Sequence, residues 1–302
     1  RLFNDLHRIG VQVILATPSG ARPVWMARAY PQVQRVQENR QRVHFGGRHN
    51  HCLTSPRYRA VTAAMNVRLA ERYGCHPALL MWHVSNEMAG GCYCGLCESA
   101  FRAWLQRRYG TIEALNAAWW TTFWSARYES WDDIAAPGPL EQWALPAQQL
   151  DWNRFVSDQT VDFYNTETEP IRRLTPNIPI TTNFHPGGSC SLDYWRFGQA
   201  VDVVAWDSYP FWGHDAKGDL DAALLAAFDF DLMRSLRHGP FLLMESTPGA
   251  ANWHPYTSQK PPGLALLSAL QAVAHGSHSV QYFQWRKGRG GFEKFHGAIV
   301  DH

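Results

Sequence analysis

Apolar and polar positions follow two periods along this chain. Six short runs, residues 11–17, 78–84, 178–183, 201–206, 241–245 and 279–285, are dominated by apolar side chains and close on polar or aromatic ones. Runs of this length and make-up predict buried parallel strands. Between them, residues 55–73, 98–109, 150–173, 221–237 and 263–275 carry helical periodicity, with apolar residues recurring three and four apart as on a helix with one buried face. Residues 1–9 read as the tail of a further helix.

Repeated strand then helix predicts an α/β fold, either a TIM (β/α)8 barrel or an open doubly wound sheet. No glycine-rich phosphate loop follows any of the runs, which removes the usual ligand reason for the open sheet. Candidate catalytic carboxylates close two different runs, an arrangement suited to the C-terminal face of a barrel. The expectation is therefore a barrel. Eight strands complete one and six are visible, so the first two βα units are expected to be missing. Residues 111–148, rich in tryptophan, tyrosine, alanine and proline, interrupt the rhythm as an elaborated βα excursion. With no repeats or linkers, residues 1–302 are expected to form one partial catalytic domain, without further C-terminal domains.

Composition narrows the function classes. Lys plus Arg number 28 against 26 for Asp plus Glu, giving no electrostatic ground to expect nucleic acid or an anionic membrane as partner. A membrane span needs about 20 consecutive apolar residues, and no run approaches that. No signal peptide is visible at the first residue. Fourteen tryptophans can serve as core filler or as stacking faces for sugar rings, and a neutral substrate fits this balance.

Two glutamates close apolar runs. Glu87 ends the stretch Trp82-His83-Val84-Ser85-Asn86-Glu87, where Asn86 could bond a sugar hydroxyl and Glu87 could protonate a departing glycosidic oxygen. The competing reading is a capped helix start. Glu245 follows four apolar residues, 241–244; an unpaired buried charge is costly, so this carboxylate must face a cleft or pair with an arginine. Two carboxyl groups about 5 to 5.5 Å apart hydrolyse glycosides with retention, and at about 6.5 to 9.5 Å with inversion. Sequence spacing is compatible with both.

Cys92, Cys94 and Cys97 form a C-x-C-x2-C run, with Cys52 some forty residues earlier. Thiols this close on one turn cannot all pair as disulfides without strain, but they can supply thiolates to one tetrahedral zinc that takes a fourth ligand from elsewhere. Cys75 and Cys190 lack such spacing and are expected to be buried small hydrophobes. This usage favours a reducing, cytoplasmic compartment.

Residues 82–131, beginning WHVSNEMAGGCYCGLC, closely resemble glycoside hydrolase family 42 β-galactosidases. So do FGGRHNHCLTSPRYR at 45–59, WDSYPFW at 206–212, MESTPGAANW at 244–253 and QYFQWRKGRGGFEKFHGA at 281–298. The resemblance implies a TIM-barrel domain that cleaves terminal β-galactosides with retention, Glu87 matching the acid/base and Glu245 the nucleophile. It matches Arg48, Asn86, Trp253, Glu293 and His296 to substrate-contacting positions, and Cys52, Cys92, Cys94 and Cys97 to a structural zinc site. It implies no organic cofactor, and a homotrimer for the parent protein. Met88 stands where the family often has tyrosine, and His51 where it often has an aromatic, so the loop on the leaving-group side is expected to differ. The rivals are a barrel glycosidase for another sugar, such as a β-glucosidase or an arabinopyranosidase, and a sugar-binding or zinc-organised scaffold without turnover.

Overall fold

The computed structural model describes residues 1–138, 145–185, 192–213, 218–254 and 258–300. They fall into two compact units: residues 1–179 with 189–200, and residues 180–188 with 201–302.

The first unit carries α1 (Leu2–Arg8), β1 (Val13–Ala16), α2 (Val24–Ala29), α3 (Pro56–Tyr73), β2 (Leu79–His83), α4 (Gly95–Tyr109), α5 (Ile112–Trp119), α6 (Pro146–Leu174) and α7 (Tyr194–Gly198). β1 and β2 pair in parallel, running from Val13 opposite Leu79 to Ala16 opposite His83. The start of α3 is encoded locally. Ser55 Oγ accepts the Tyr58 N–H and Pro56 occupies the first turn, where its missing N–H costs nothing. α6 buries Trp152, Phe155, Phe163, Glu167 and Ile171 along one face, and packs on α3 through the stacked Tyr58 and Phe163 rings and an Asn66 Nδ2 to Glu167 carbonyl bond of 2.9 Å.

The excursion at 111–148 is a folded part of the core rather than a surface loop. Thr111 caps α5 by accepting the Ala114 N–H, and Leu115, Trp119 and Ile134 join Phe101, Leu105, Trp152 and Phe155 in one hydrophobic cluster. Residues 139–144 of it lie outside the described residues.

The second unit carries β3 (Ile180–Thr181), β4 (Asn183–Phe184), β5 (Ala205–Asp207), α8 (Gly218–Ser235), β6 (Phe241–Glu245), α9 (Leu264–Ala274) and β7 (Ser277–Val280). β4, β5, β6 and β7 form a parallel sheet in that order. In register, Asp207 lies opposite Glu245, so two carboxylates share one edge of the sheet.

Three expectations need correction. The run at 178–183 is not one strand; it divides at Thr182 into β3 and β4. The run at 279–285 pairs as a strand only to Val280 and starts earlier, at Ser277, because the chain beyond makes only single bonds such as Gln281 N–H to the Leu243 carbonyl. Cys75 is exposed rather than buried, because it falls in the surface turn that follows α3. Cys190 lies outside the described residues.

Candidate active site

In the first unit, β2 delivers Glu87. The chain from Val84 to Cys94 is irregular and α4 begins only at Gly95, so Glu87 does not cap a helix. Ser85 and Glu87 both take left-handed φ angles, 60° and 38°. A non-glycine residue held there costs about 1–3 kcal/mol and marks a backbone over-determined by its surroundings. Those surroundings are visible: the Thr17 N–H bonds the His83 carbonyl at 2.8 Å, and Thr17 Oγ1 accepts the Ser85 N–H at 2.8 Å.

The Glu87 side chain is buried to within a tenth. Its Oε2 accepts from the Arg48 guanidinium and from Asn86 Nδ2 at 3.1 Å. Arg48, Asn86 and Glu87 are thus brought together. The loop carrying Arg48 is held by His49, whose Nε2 lies 2.7 Å from the Asn86 carbonyl and must donate to it. Burial, reinforced by the Arg48 charge, pushes His49 down to about 4, so the ring is neutral. His51, which stands where an aromatic is common, packs against one: its ring lies tilted 4.2 Å from that of Tyr58, and burial holds it uncharged. Met88 is buried.

In the second unit, β6 delivers Glu245. Its Oε2 accepts from the Tyr209 hydroxyl at 2.8 Å and its Oε1 from Asn183 Nδ2 at 3.3 Å. The same Asn183 nitrogen donates to Asp207. These bonds to Glu245 come from neutral donors, so they aim the carboxylate without neutralising it. Asn183, Asp207 and Tyr209 were not singled out from sequence; the available signal was their position at or just beyond the ends of the apolar runs 178–183 and 201–206.

Trp253 lies half exposed, one face stacked on His296 at 4.9 Å between centroids and its edge against Tyr209 at 4.6 Å. His296 is fully buried. Its Nδ1 accepts the Asn252 N–H at 3.3 Å and burial lowers its proton affinity, so the neutral ring carries its proton on Nε2. Glu293 is half-buried one turn earlier, its carbonyl accepting the His296 N–H at 3.0 Å. Trp253, His296 and Tyr209 therefore form one aromatic cluster, with Glu293 in the turn that leads into it.

Cys52, Cys92, Cys94 and Cys97 converge in the first unit, all four sulfurs within 4.8 Å of one another. Cys52 Sγ lies 3.6 Å from Cys94 and 3.5 Å from Cys97, and Cys94 3.8 Å from Cys97. A tetrahedron of sulfurs about 2.3 Å from zinc has edges of about 3.8 Å, so the donor set fits that ion. The Val36 N–H points at Cys92 Sγ at 3.3 Å, a bond suited to a thiolate. Hydrogen bonds among the four favour ionisation of Cys92 and Cys94 and disfavour that of Cys52 and Cys97. Arg35 braces the two cysteine-bearing loops, its guanidinium donating to the carbonyls of His51 and Ala89. Gly90 is required beside it: its φ is 74° and a Cβ would stand 2.8 Å from Arg35 Nη1.

The glycoside hydrolase family 42 model, described as Beta-galactosidase, matches residues 1–302. The chain is 52% identical over 307 residues to Beta-galactosidase GanA of Bacillus subtilis, covering 100% of this chain and 46% of that protein. It is 53% identical over 300 residues to Beta-galactosidase BglY of Alicyclobacillus acidocaldarius, covering 98% and 43%. Among solved structures, a catalytic mutant of Gan42B, a GH42 beta-galactosidase from G. stearothermophilus, superposes with a TM-score of 0.97 at 53% identity, over 100% of this chain and 45% of that one. The fold is that of the TIM barrel, and the chain spans under half the length of these relatives.

Proposed function

The chain belongs to the glycoside hydrolase family 42 β-galactosidases, and from that premise we propose that the whole protein removes terminal non-reducing β-D-galactosyl residues by double displacement. Glu245 attacks the anomeric carbon while Glu87 protonates the departing oxygen; Glu87 then takes a proton from water, whose oxygen displaces Glu245 and releases galactose with its configuration retained. The chemistry needs no organic cofactor.

The observation that carries this reading is that each glutamate stands at the end of a parallel strand, aimed by its own donors: Arg48 and Asn86 on Glu87, Tyr209 and Asn183 on Glu245. Trp253 offers an exposed face on which the apolar side of a sugar ring can stack. Cys52, Cys92, Cys94 and Cys97 would hold a structural zinc. Four thiolates close its coordination sphere, leaving no position for water and hence no catalytic part.

The test is a panel of nitrophenyl glycosides assayed on the full-length protein and its Glu245→Gln variant. Turnover of the β-galactoside above the other sugars, reduced at least about 10³-fold by the substitution with the melting temperature unchanged, is the expected result. Preferred cleavage of another sugar would overturn the substrate, and undiminished activity of the variant would overturn the nucleophile.

A further inference from the structure

Glu167 is the most deeply buried carboxylate in the first unit that the reaction above leaves without a part. It sits on α6, fully buried, and 148 residues separate it from the group it binds: Ser19 Oγ donates to its Oε2 at 3.0 Å. Its Oε1 finds no partner among the described residues, and neither does the nearby Asn66 Oδ1. Burying a carboxyl group in this way costs several kcal/mol unless it is protonated or well bonded, so a helix needing only packing would have no use for it. What it gains is a hold on one loop.

Ser19 belongs to the turn after β1. Its carbonyl is held a second time, by the Tyr58 hydroxyl, so both its side chain and its backbone are fixed. The next residue, Gly20, lies beside the acid/base segment: a Cβ there would stand at ordinary contact distance, 3.5 Å from Asn86 Cβ and 3.7 Å from His49 Nε2. The Gly20 carbonyl also accepts the His49 N–H at 2.9 Å. His49 in turn donates to the Asn86 carbonyl, and both neighbours of this pair, Asn86 and Arg48, donate to Glu87. A continuous path of hydrogen bonds and contacts thus runs from α6 to the carboxyl group read as the acid/base.

We propose that Glu167 is a positioning residue for Glu87, acting through Ser19 and the loop at residues 17–22 on the Asn86 backbone that carries it. The proposal rests on the reading of Glu87 as the acid/base. A protonated Glu167 can accept from Ser19 through Oε2, and glutamine can do the same through its amide oxygen. Methionine fills a similar volume and cannot.

The experiment uses the full-length protein and four variants, Glu87→Gln, Glu167→Met, Glu167→Gln and Ser19→Ala, with kcat/KM measured on aryl β-galactosides of graded leaving-group acidity. A misplaced proton donor matters where the leaving group needs the proton, as phenol does, and little where it does not, as with 2,4-dinitrophenol. Glu167→Met and Ser19→Ala should each lower kcat/KM for the phenyl galactoside about tenfold and leave the dinitrophenyl value within about twofold, in line with the cost of small misplacements of catalytic groups. Glu167→Gln should restore the parent slope. Glu87→Gln should show the same slope in stronger form; if it does not, the acid/base reading fails, independently of Glu167. A steep Glu87→Gln line beside flat lines for both Glu167→Met and Ser19→Ala, whatever their melting temperatures, would reduce Glu167 to a structural role and overturn the proposal. Ser19→Ala removes a single oxygen, so it provides the reading even where Glu167→Met does not fold.

Discussion

Two ionisable side chains flanking the loop after β1, the buried Glu167 and the half-buried His49, shift in ways that make stability depend on pH in opposite senses. Burial raises Glu167 to about 7 and lowers His49 to about 4; each therefore favours its uncharged form. For Glu167 the folded state binds more protons than the unfolded between about 4.5 and 7. Its contribution is full below the lower value and is lost as pH rises through the higher one. For His49 the unfolded state binds more protons between about 4 and 6.5, so stability falls as pH drops through that window. Glu167→Gln removes the first dependence alone. Denaturant titrations should show the variant gaining on the parent protein as pH rises from 5 to 8, by on the order of 2 kcal/mol for a shift of this size. A difference that stays constant with pH would mean that Glu167 is already ionised, or solvated, in the folded state.

At the scale of elements, the sequence marked where strands end better than where they pair. Ser55, Pro56 and Thr111 announce helix starts through local capping, and these are legible without tertiary context. The division of residues 178–183 at Thr182 and the early end of β7 are not, because pairing depends on neighbours distant in the chain. The same distinction holds at the site. Glu87 and Glu245 were visible because each closes an apolar run, whereas Asp207 acquires meaning only when register places it opposite Glu245, and Asn183 and Tyr209 only when their side chains bond it. The cysteines were legible as C-x-C-x2-C, yet Cys52 joins them through a packing of loops that no spacing encodes. That packing makes a measurable prediction for the loops. Purified without chelator, the full-length protein should hold about one zinc per chain, and Cys92→Ala should lose it together with thermal stability, since a structural zinc couples binding to folding. Metal content clearly below one per chain in the parent would remove the site. Because Arg35 and Cys52 brace the loops that carry Arg48 and Glu87, chelation should depress turnover before it unfolds the barrel.

For the molecule as a whole, each proposed catalytic carboxylate has supporting groups in its own compact unit: Arg48, Asn86 and, through Ser19, Glu167 for Glu87; Asn183 and Tyr209 for Glu245. Substitutions that share no partner add in free energy, and those within one network do not. Ser19→Ala combined with Glu167→Met should therefore cost little more than either alone, both cutting the same bond. Tyr209→Phe, which strips one donor from Glu245, should multiply with either. The check is kcat/KM of the three singles and their pairwise combinations; strong coupling between Ser19→Ala and Tyr209→Phe would contradict it. That placement bears on how such an enzyme can change by descent or by design. The groups around the proton donor and those around the nucleophile lie in different stretches of sequence, so a library confined to one stretch acts first on tolerance of poor leaving groups, and one confined to the other acts first on reactivity of the nucleophile.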